Sequence, residues 1–240
     1  MDRREYAKMI DFEDIHWWFV SKRKFISTFF PKGKNFKVLD VGCGTGGTTE
    51  YLKKYGTVMG VEKDKYALAK AKGRGVFAQW GYAEELPVKD SSVDVATLID
   101  VLYHKDVNDI KALKEVHRTI KPGGWLVVHD CAFEFLRGPH DKFVHARERY
   151  TRKILVSRIE QAGFIVERAS YVYFFIFPIV ALVRIWDKIF SGRTESEVKE
   201  VNPIVNKILI AISGLESKLL RFVSFPWGSS IIIRARKSNV

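Results

Sequence analysis

Two groups of residues in this 240-residue chain could do chemistry. One is HDKFVHARERY, which sets His140, Asp141, His145, Arg149 and Tyr150 in one short stretch. Two histidines and an acid can ligate a metal, or can make a general base held by its carboxylate. A single segment rarely completes a metal site, so a base with its orienting acid is expected and no metal. The plain alternative is a solvated polar loop, and Arg149 could instead meet an anionic group of a ligand. The other group is DVGCGTGG, with Asp40 followed by Gly42, Gly44 and Gly46. Glycines at that spacing permit a tight turn and let a ligand approach the backbone closely.

The elements around the glycines decide what they mean. Val38, Leu39 and Val41 form a short apolar run, read as a buried strand, and TTEYLKKYG after the loop reads as a helix closed by Gly56. The alternation continues: VMGVE, VFAQW, VDVATLI and WLVVHD as strands, KYALAKAKG and DIKALKEVHRTI as helices. The second of these helices would carry Ile110, Leu113, His117 and Ile120 on one side. Strands separated by single helices imply an open, doubly wound α/β sheet. Later come a helix capped by Thr151, a strand FIVERASYVYFF, a helix opened by Asn202 and Pro203, and a last strand SSIIIRARK.

In that setting the loop points to an adenosine-type ligand. Glu62 ends the second strand, 22 residues after Asp40, where a carboxylate accepts both ribose hydroxyls. A dinucleotide site would want G-x-G-x-x-G and a diphosphate. An acid ahead of the glycines suits a cationic amine instead, which favours S-adenosylmethionine (SAM).

VLDVGCGTG, VMGVEKD, GYAEELPVKDSSVDVATLIDVLYH and LKEVHRTIKPGGWLVVHD together resemble the class I SAM-dependent methyltransferases of the type that acts on small molecules. The resemblance implies a Rossmann-like, mostly parallel seven-stranded sheet with an antiparallel last strand. It implies that Asp40, Gly42, Cys43, Gly44 and Gly46 hold the methionine moiety, that Glu62 and Lys63 lie at the ribose, that Ala83 and Glu84 lie beside the adenine, and that Asp100 and Val101 face the reacting centre. Tyr82 stands where many members carry an acid, so Glu84 or a backbone group would serve the adenine amine. HWWFVSKRKFI near the start adds Trp18 and Arg23 as cofactor contacts, with Lys22 beside them. That segment, the His140 stretch and FPWGSSIIIRARK resemble a subgroup associated with glycan or lipid-linked sugar pathways.

A methyl transfer to a hydroxyl is helped by a base, and histidine suits neutral pH. His140 with Asp141, His145, and His104 after the fourth strand are the candidates. His129 beside Asp130 and His16 beside Trp17 and Trp18 are equally well read as packed side chains, and His117 as structural.

YVYFFIFPIVALV, Tyr171 to Val183, is thirteen uncharged residues, too few for a helix that crosses a bilayer, which takes about 20. The chain is therefore divided into an N-terminal helical cap (1–36), a SAM-binding core (37–176), a helical insertion or lid (177–227), and a closing strand and tail (228–240). In the insertion, Ile204, Ile208, Ile212, Leu215, Leu219 and Phe222 recur at helical spacing, and Arg184, Lys188, Arg193, Lys207, Lys218 and Arg221 decorate it. That combination suits an anionic membrane surface or a lipid carrier, or packing on the chain's own domain or a second copy. The net charge is +12 without a block of like charges, and Cys43 and Cys131 are too few for a disulfide framework. A cytoplasmic protein is expected, with peripheral membrane contact through the insertion as an option. The expected acceptor is a hydroxyl of a sugar or lipid-linked saccharide. C-methylation of an isoprenoid quinone-type ring, methylation of RNA, and a SAM-binding adaptor without turnover are the alternatives. IDVLYH lacks the N/D-P-P-Y/F pattern used for exocyclic amines, which makes nucleic acid a poor partner.

Overall fold

The computed structural model describes residues 3–191 and 201–239. Seven strands form one sheet in the order β3-β2-β1-β4-β5-β7-β6. They are β1 (Phe36–Val41), β2 (Gly56–Glu62), β3 (Ala78–Trp80), β4 (Val93–Ile99), β5 (Ile120–Cys131), β6 (Phe164–Val172) and β7 (Ser230–Lys237). Neighbours from β3 to β5 pair in parallel, and β7 runs antiparallel between β5 and β6. The helices are α1 (Arg3–Phe12), α2 (Trp17–Phe29), α3 (Gly47–Leu52), α4 (Lys65–Gly73), α5 (Asp109–Thr119), α6 (Pro139–Phe143), α7 (Arg152–Gln161), α8 (Phe177–Trp186) and α9 (Pro203–Leu219).

Helix starts follow local chemistry. Asp64 accepts hydrogen bonds from the Tyr66 and Ala67 amides, Asn108 from Lys111, Thr151 from Ile154 and Asn202 from Ile204, each satisfying amides that the first helical turn leaves free. One face of the sheet packs on α5 and α7 through Leu113, Val116, Leu155 and Ile159. The other packs on α2 through Phe25, Ile26 and Phe29, all fully buried against Val38, Val95 and Ile232. Helix α2 of the N-terminal segment thus supplies part of the core on this face. Among the described residues no helix is long and apolar enough to cross a membrane.

Several boundaries differ from the sequence reading. The opening helical stretch is broken between α1 and α2, where His16 caps α2 by accepting from the Trp18 amide. Helix α3 stops at Leu52, and Gly56 opens β2, because a Cβ there would lie 2.0 Å from the Phe36 carbonyl oxygen. The buried face of α5 is Ala112, Leu113 and Val116, while Ile110 and His117 are only half-buried. Strand β6 ends at Val172, since Tyr173 adopts a left-handed backbone with φ 62°. The largest difference is α9, whose buried residues are Ser213 and Glu216 while its apolar stripe faces out. Arg193 and most of the polar connector expected around it fall outside the described residues.

Candidate active site

The carboxyl ends of β1, β2 and β4 open onto one cleft. Gly42, Gly44 and Gly46 have φ of 71°, 56° and 89°, conformations that side chains with a Cβ rarely adopt. They use the freedom differently. A Cβ on Gly42 would lie 2.5 Å from Val101 Cγ2, and one on Gly46 3.1 Å from Ala71, whereas one on Gly44 would meet nothing nearer than Met9 Cε at 3.9 Å. The loop is thus packed against the protein at its two ends and open to the cleft in its middle.

Two buried carboxylates face this cleft. Thr49 and Thr97 each donate a hydroxyl hydrogen bond of 2.6 Å to Asp40. Glu62 accepts from the amides of Gly44 (2.9 Å) and Asp64 (2.8 Å), which ties the glycine loop to the end of β2. Burial pushes both acids above the usual carboxylate range, with these hydrogen bonds opposing the shift. Gly42, Cys43, Lys63, Ala83, Glu84 and Val101 also line the cleft. The Cys43 thiol is pushed up by burial and stays protonated. Glu84 accepts from the Asn108 amide at 2.7 Å, and Tyr82 is exposed beside Trp80. From the N-terminus come Tyr6, Met9 and Glu13 of α1 and its exit, Trp18 and Lys22. Glu13 accepts from the Thr45 hydroxyl at 3.0 Å, so the segment after α1 is latched onto the loop.

A second cleft lies beyond Asp100. It is lined by aromatic and charged groups, among them Trp17, Tyr103, Arg149, Val180 and Arg184. Trp18, Phe19, Asp100, Tyr103, His140 and Val144 line both clefts. Asp100 sits at this boundary with φ 57°, a strained conformation held by its partners. Its carboxylate accepts from Lys22 Nζ at 2.6 Å and from His129 Nδ1 at 2.8 Å, and the Lys22 ammonium, then His129, outweigh burial and keep it well below the usual range. Trp18 stacks flat on Tyr173 at 4.4 Å, which fixes the wall between the clefts.

The candidate bases are separated by this geometry. His140 reaches both clefts. His104 lines the first, bonds through Nδ1 to the Val144 carbonyl at 2.6 Å, and is held neutral by burial, with its pKa lowered to about 4. Asp141, expected as the orienting acid of a histidine base, is bound by an arginine. Arg149 takes both Asp141 oxygens, at 2.8 and 3.0 Å, and the Gly138 amide takes a share at 2.7 Å. Asp141 therefore anchors Arg149 in the wall. His145, with φ 54°, lies outside the lining of both clefts. Arg23 bonds to Asp14 at 3.0 Å, outside the lining of the first cleft, while its neighbour Lys22 lines it. Gly46 starts α3 behind the lining rather than within it.

Residues 39–128 match the family described as a methyltransferase domain. Over these residues the chain carries a methyltransferase domain. Over 129 residues it is 36% identical to a demethylmenaquinone methyltransferase of Staphylococcus aureus, covering 50% of this chain and 51% of that one. Over 107 residues it is 33% identical to the ubiquinone/menaquinone biosynthesis C-methyltransferase UbiE of Rubrivivax gelatinosus, covering 43% of this chain and 42% of that one. The chain thus spans about half the length of these curated relatives. Its fold is similar to that of a SAM-dependent methyltransferase from Thermotoga maritima, with a TM-score of 0.64 and 23% identity over 98% of this chain and 96% of that one.

The methyltransferase domain's cofactor is SAM, and the first cleft fits it. The open middle of the glycine loop gives a backbone approach, and Asp40 keeps unused lone pairs for an amine. Lys22 offers a cation for a carboxylate, and Glu62 an acceptor pair for ribose. Among the described residues, Asp100, Asp130 and Cys131 are close enough to share a metal. Lys22 already occupies the Asp100 side of that group, and burial keeps the Cys131 thiol protonated, so the donor set does not suit a cation. Tyr6, Met9 and Glu13 were missed by the motif reading, since nothing in the spacing of α1 ties it to a loop more than thirty residues on.

Proposed function

We propose that the chain transfers the methyl group of SAM to a hydroxyl of a sugar or lipid-linked saccharide held in the second cleft. The observation that carries this is the shared lining: Trp18, Phe19, Asp100, Tyr103, His140 and Val144 line both clefts, so a ligand in each would lie against the same side chains. SAM supplies a methyl group already activated on a sulfonium, so the protein's part is alignment and exclusion of water. Trp17 and Tyr103 offer flat faces to a ring. His140 takes the proton that the acceptor hydroxyl gives up. The N-terminal α1 and its exit close the cofactor side, and α8 closes the acceptor side through Val180 and Arg184.

A second reading is C-methylation of a quinone-type ring, which the names of the Staphylococcus and Rubrivivax relatives favour. A lipid-linked saccharide and a prenylated ring are both membrane-borne, and the protein is proposed to meet either as a peripheral protein at a bilayer surface. The test uses SAM with a labelled methyl group and lysate of the source organism. Label in lipid that moves to water after mild acid supports the saccharide. Acid-stable lipid label supports the ring. Label in RNA, or none anywhere despite SAM binding, overturns the proposal.

A further inference from the structure

Helix α9 is turned inside out for a water-soluble protein. Its polar side faces the chain: the Asn206 side chain accepts from the Trp17 amide at 2.7 Å and donates to the Ile15 carbonyl at 2.9 Å, and Ser217 bonds to Thr28 at 2.9 Å. Glu216 is buried beneath the Phe175 amide. The apolar stripe then points outward, with Ile204 69%, Ile208 52% and Leu215 56% exposed. A helix that packs on a soluble core does the reverse. Helix α8 has no buried residue, and Ile179 and Leu182 are 64% and 69% exposed.

We infer that the outward faces of α8 and α9 dock on the surface of an anionic lipid bilayer. Charge selects this occupant. Between 177 and 223 the exposed cations among the described residues are Lys188, Lys207, Lys218 and Arg221, with Arg184 in the second cleft, against the half-buried Asp187 and the buried Glu216. A two-fold dimer through this face would set those cations against their own copies. Anionic headgroups attract them, while the apolar side chains enter the acyl boundary.

Position gives the face a use. Asn206 fastens the first turns of α9 to the start of α2, and the same start of α2, Trp17 to Phe19, lines the second cleft opposite Val180 and Arg184 of α8. The exposed Ile179, Leu182, Ile204 and Ile208 therefore flank the cleft that is proposed to take the acceptor. A lipid-borne acceptor would enter it from the bilayer without crossing water. This use rests on the acceptor reading above; the docking itself does not.

The experiment is co-sedimentation with phosphatidylcholine vesicles, with and without phosphatidylglycerol, alongside calorimetric SAM affinity, light scattering, and transfer to a detergent-dispersed lipid extract. The wild type is expected to bind the anionic vesicles, and less so as salt rises. Leu182→Asp with Ile208→Asp should weaken that binding by roughly tenfold or more. Lys207→Gln with Lys218→Gln should weaken it by roughly fivefold per cation at low salt. SAM affinity should stay unchanged in both, which shows the fold intact. Absence of binding to anionic vesicles, wild-type binding by the aspartate pair, or a dimer that this pair dissociates while vesicles are ignored would overturn the docking. Loss of docking with transfer intact would leave the transferase standing, and docking without any transfer would do the opposite.

Discussion

The two clefts that meet at Asp100 are built on different plans. The cofactor side is made by strand ends and a glycine loop, and its carboxylates are fixed by short bonds from Thr49, Thr97 and backbone amides. The acceptor side is made by side chains from α2, the segment after β5, and α8, which the topology brings together from remote parts of the chain. A site made of backbone and buried acids has little room to change its ligand. A site made of side chains on separate segments can be reshaped by substitution while the sheet stays as it is. The comparison predicts that damage on the cofactor side abolishes binding, whereas damage on the acceptor side changes rate or acceptor.

Five substitutions would break or sharpen that contrast. The largest effect is expected from Asp100→Asn, which strands the buried Lys22 ammonium at the shared wall. Breaking one partner of such a buried pair costs about 3–5 kcal/mol, readable as a fall in melting temperature. The depressed Asp100 carboxyl contributes stability that is present above its unfolded value of 3.8 and is lost as pH falls through its lower folded value. The wild-type advantage over the variant should therefore shrink only in strong acid.

Gly42→Ala comes next. It combines left-handed strain with a collision at Val101, on the order of 3 kcal/mol, and should weaken SAM binding by roughly a hundredfold in calorimetry. His140→Gln should lower kcat by about a hundredfold while SAM affinity holds, as loss of a general base does. His104, already neutral at physiological pH, should leave the pH–rate profile unmoved when changed to glutamine.

Glu216→Gln differs in sign: at neutral pH and above it should be favourable. Burial raises the Glu216 pKa to about 7 from 4.5. The folded state then holds a proton that the unfolded state has lost. Its contribution is full below about pH 4.5, declines as pH rises toward 7, and is gone above that. Glutamine removes this slope, so the variant should gain about 3 kcal/mol over the wild type at pH 8, measured by denaturant midpoint.

How much of this the sequence revealed follows the same division. The glycine loop, Asp40 and Glu62 were legible because their chemistry is local: three left-handed glycines lie within five residues, and the acid sits at a strand end. The strands of the sheet announced themselves as apolar runs because both faces are covered. The Lys22–Asp100 pair spans 78 residues, and no periodicity predicts it. Asp141 was read as the partner of a histidine because proximity in sequence favoured it; Arg149, eight residues on and outside the helix, adds a bidentate fork that the spacing does not announce. In α9 the spacing gave the stripe but not its direction, because periodicity identifies two faces without saying which one meets the protein.

The central claim is that the two clefts work as one site, with a methyl donor on one side of Asp100 and an acceptor on the other. Val180 lines the second cleft and not the first, so Val180→Trp narrows the proposed acceptor cleft from α8. The direct measurement is transfer of labelled methyl to the lipid extract of the source organism, alongside calorimetric SAM affinity, for the wild type and this variant. The account predicts transfer reduced by roughly tenfold or more with SAM affinity unchanged. Transfer at the wild-type rate, or transfer and SAM affinity falling together, would contradict it.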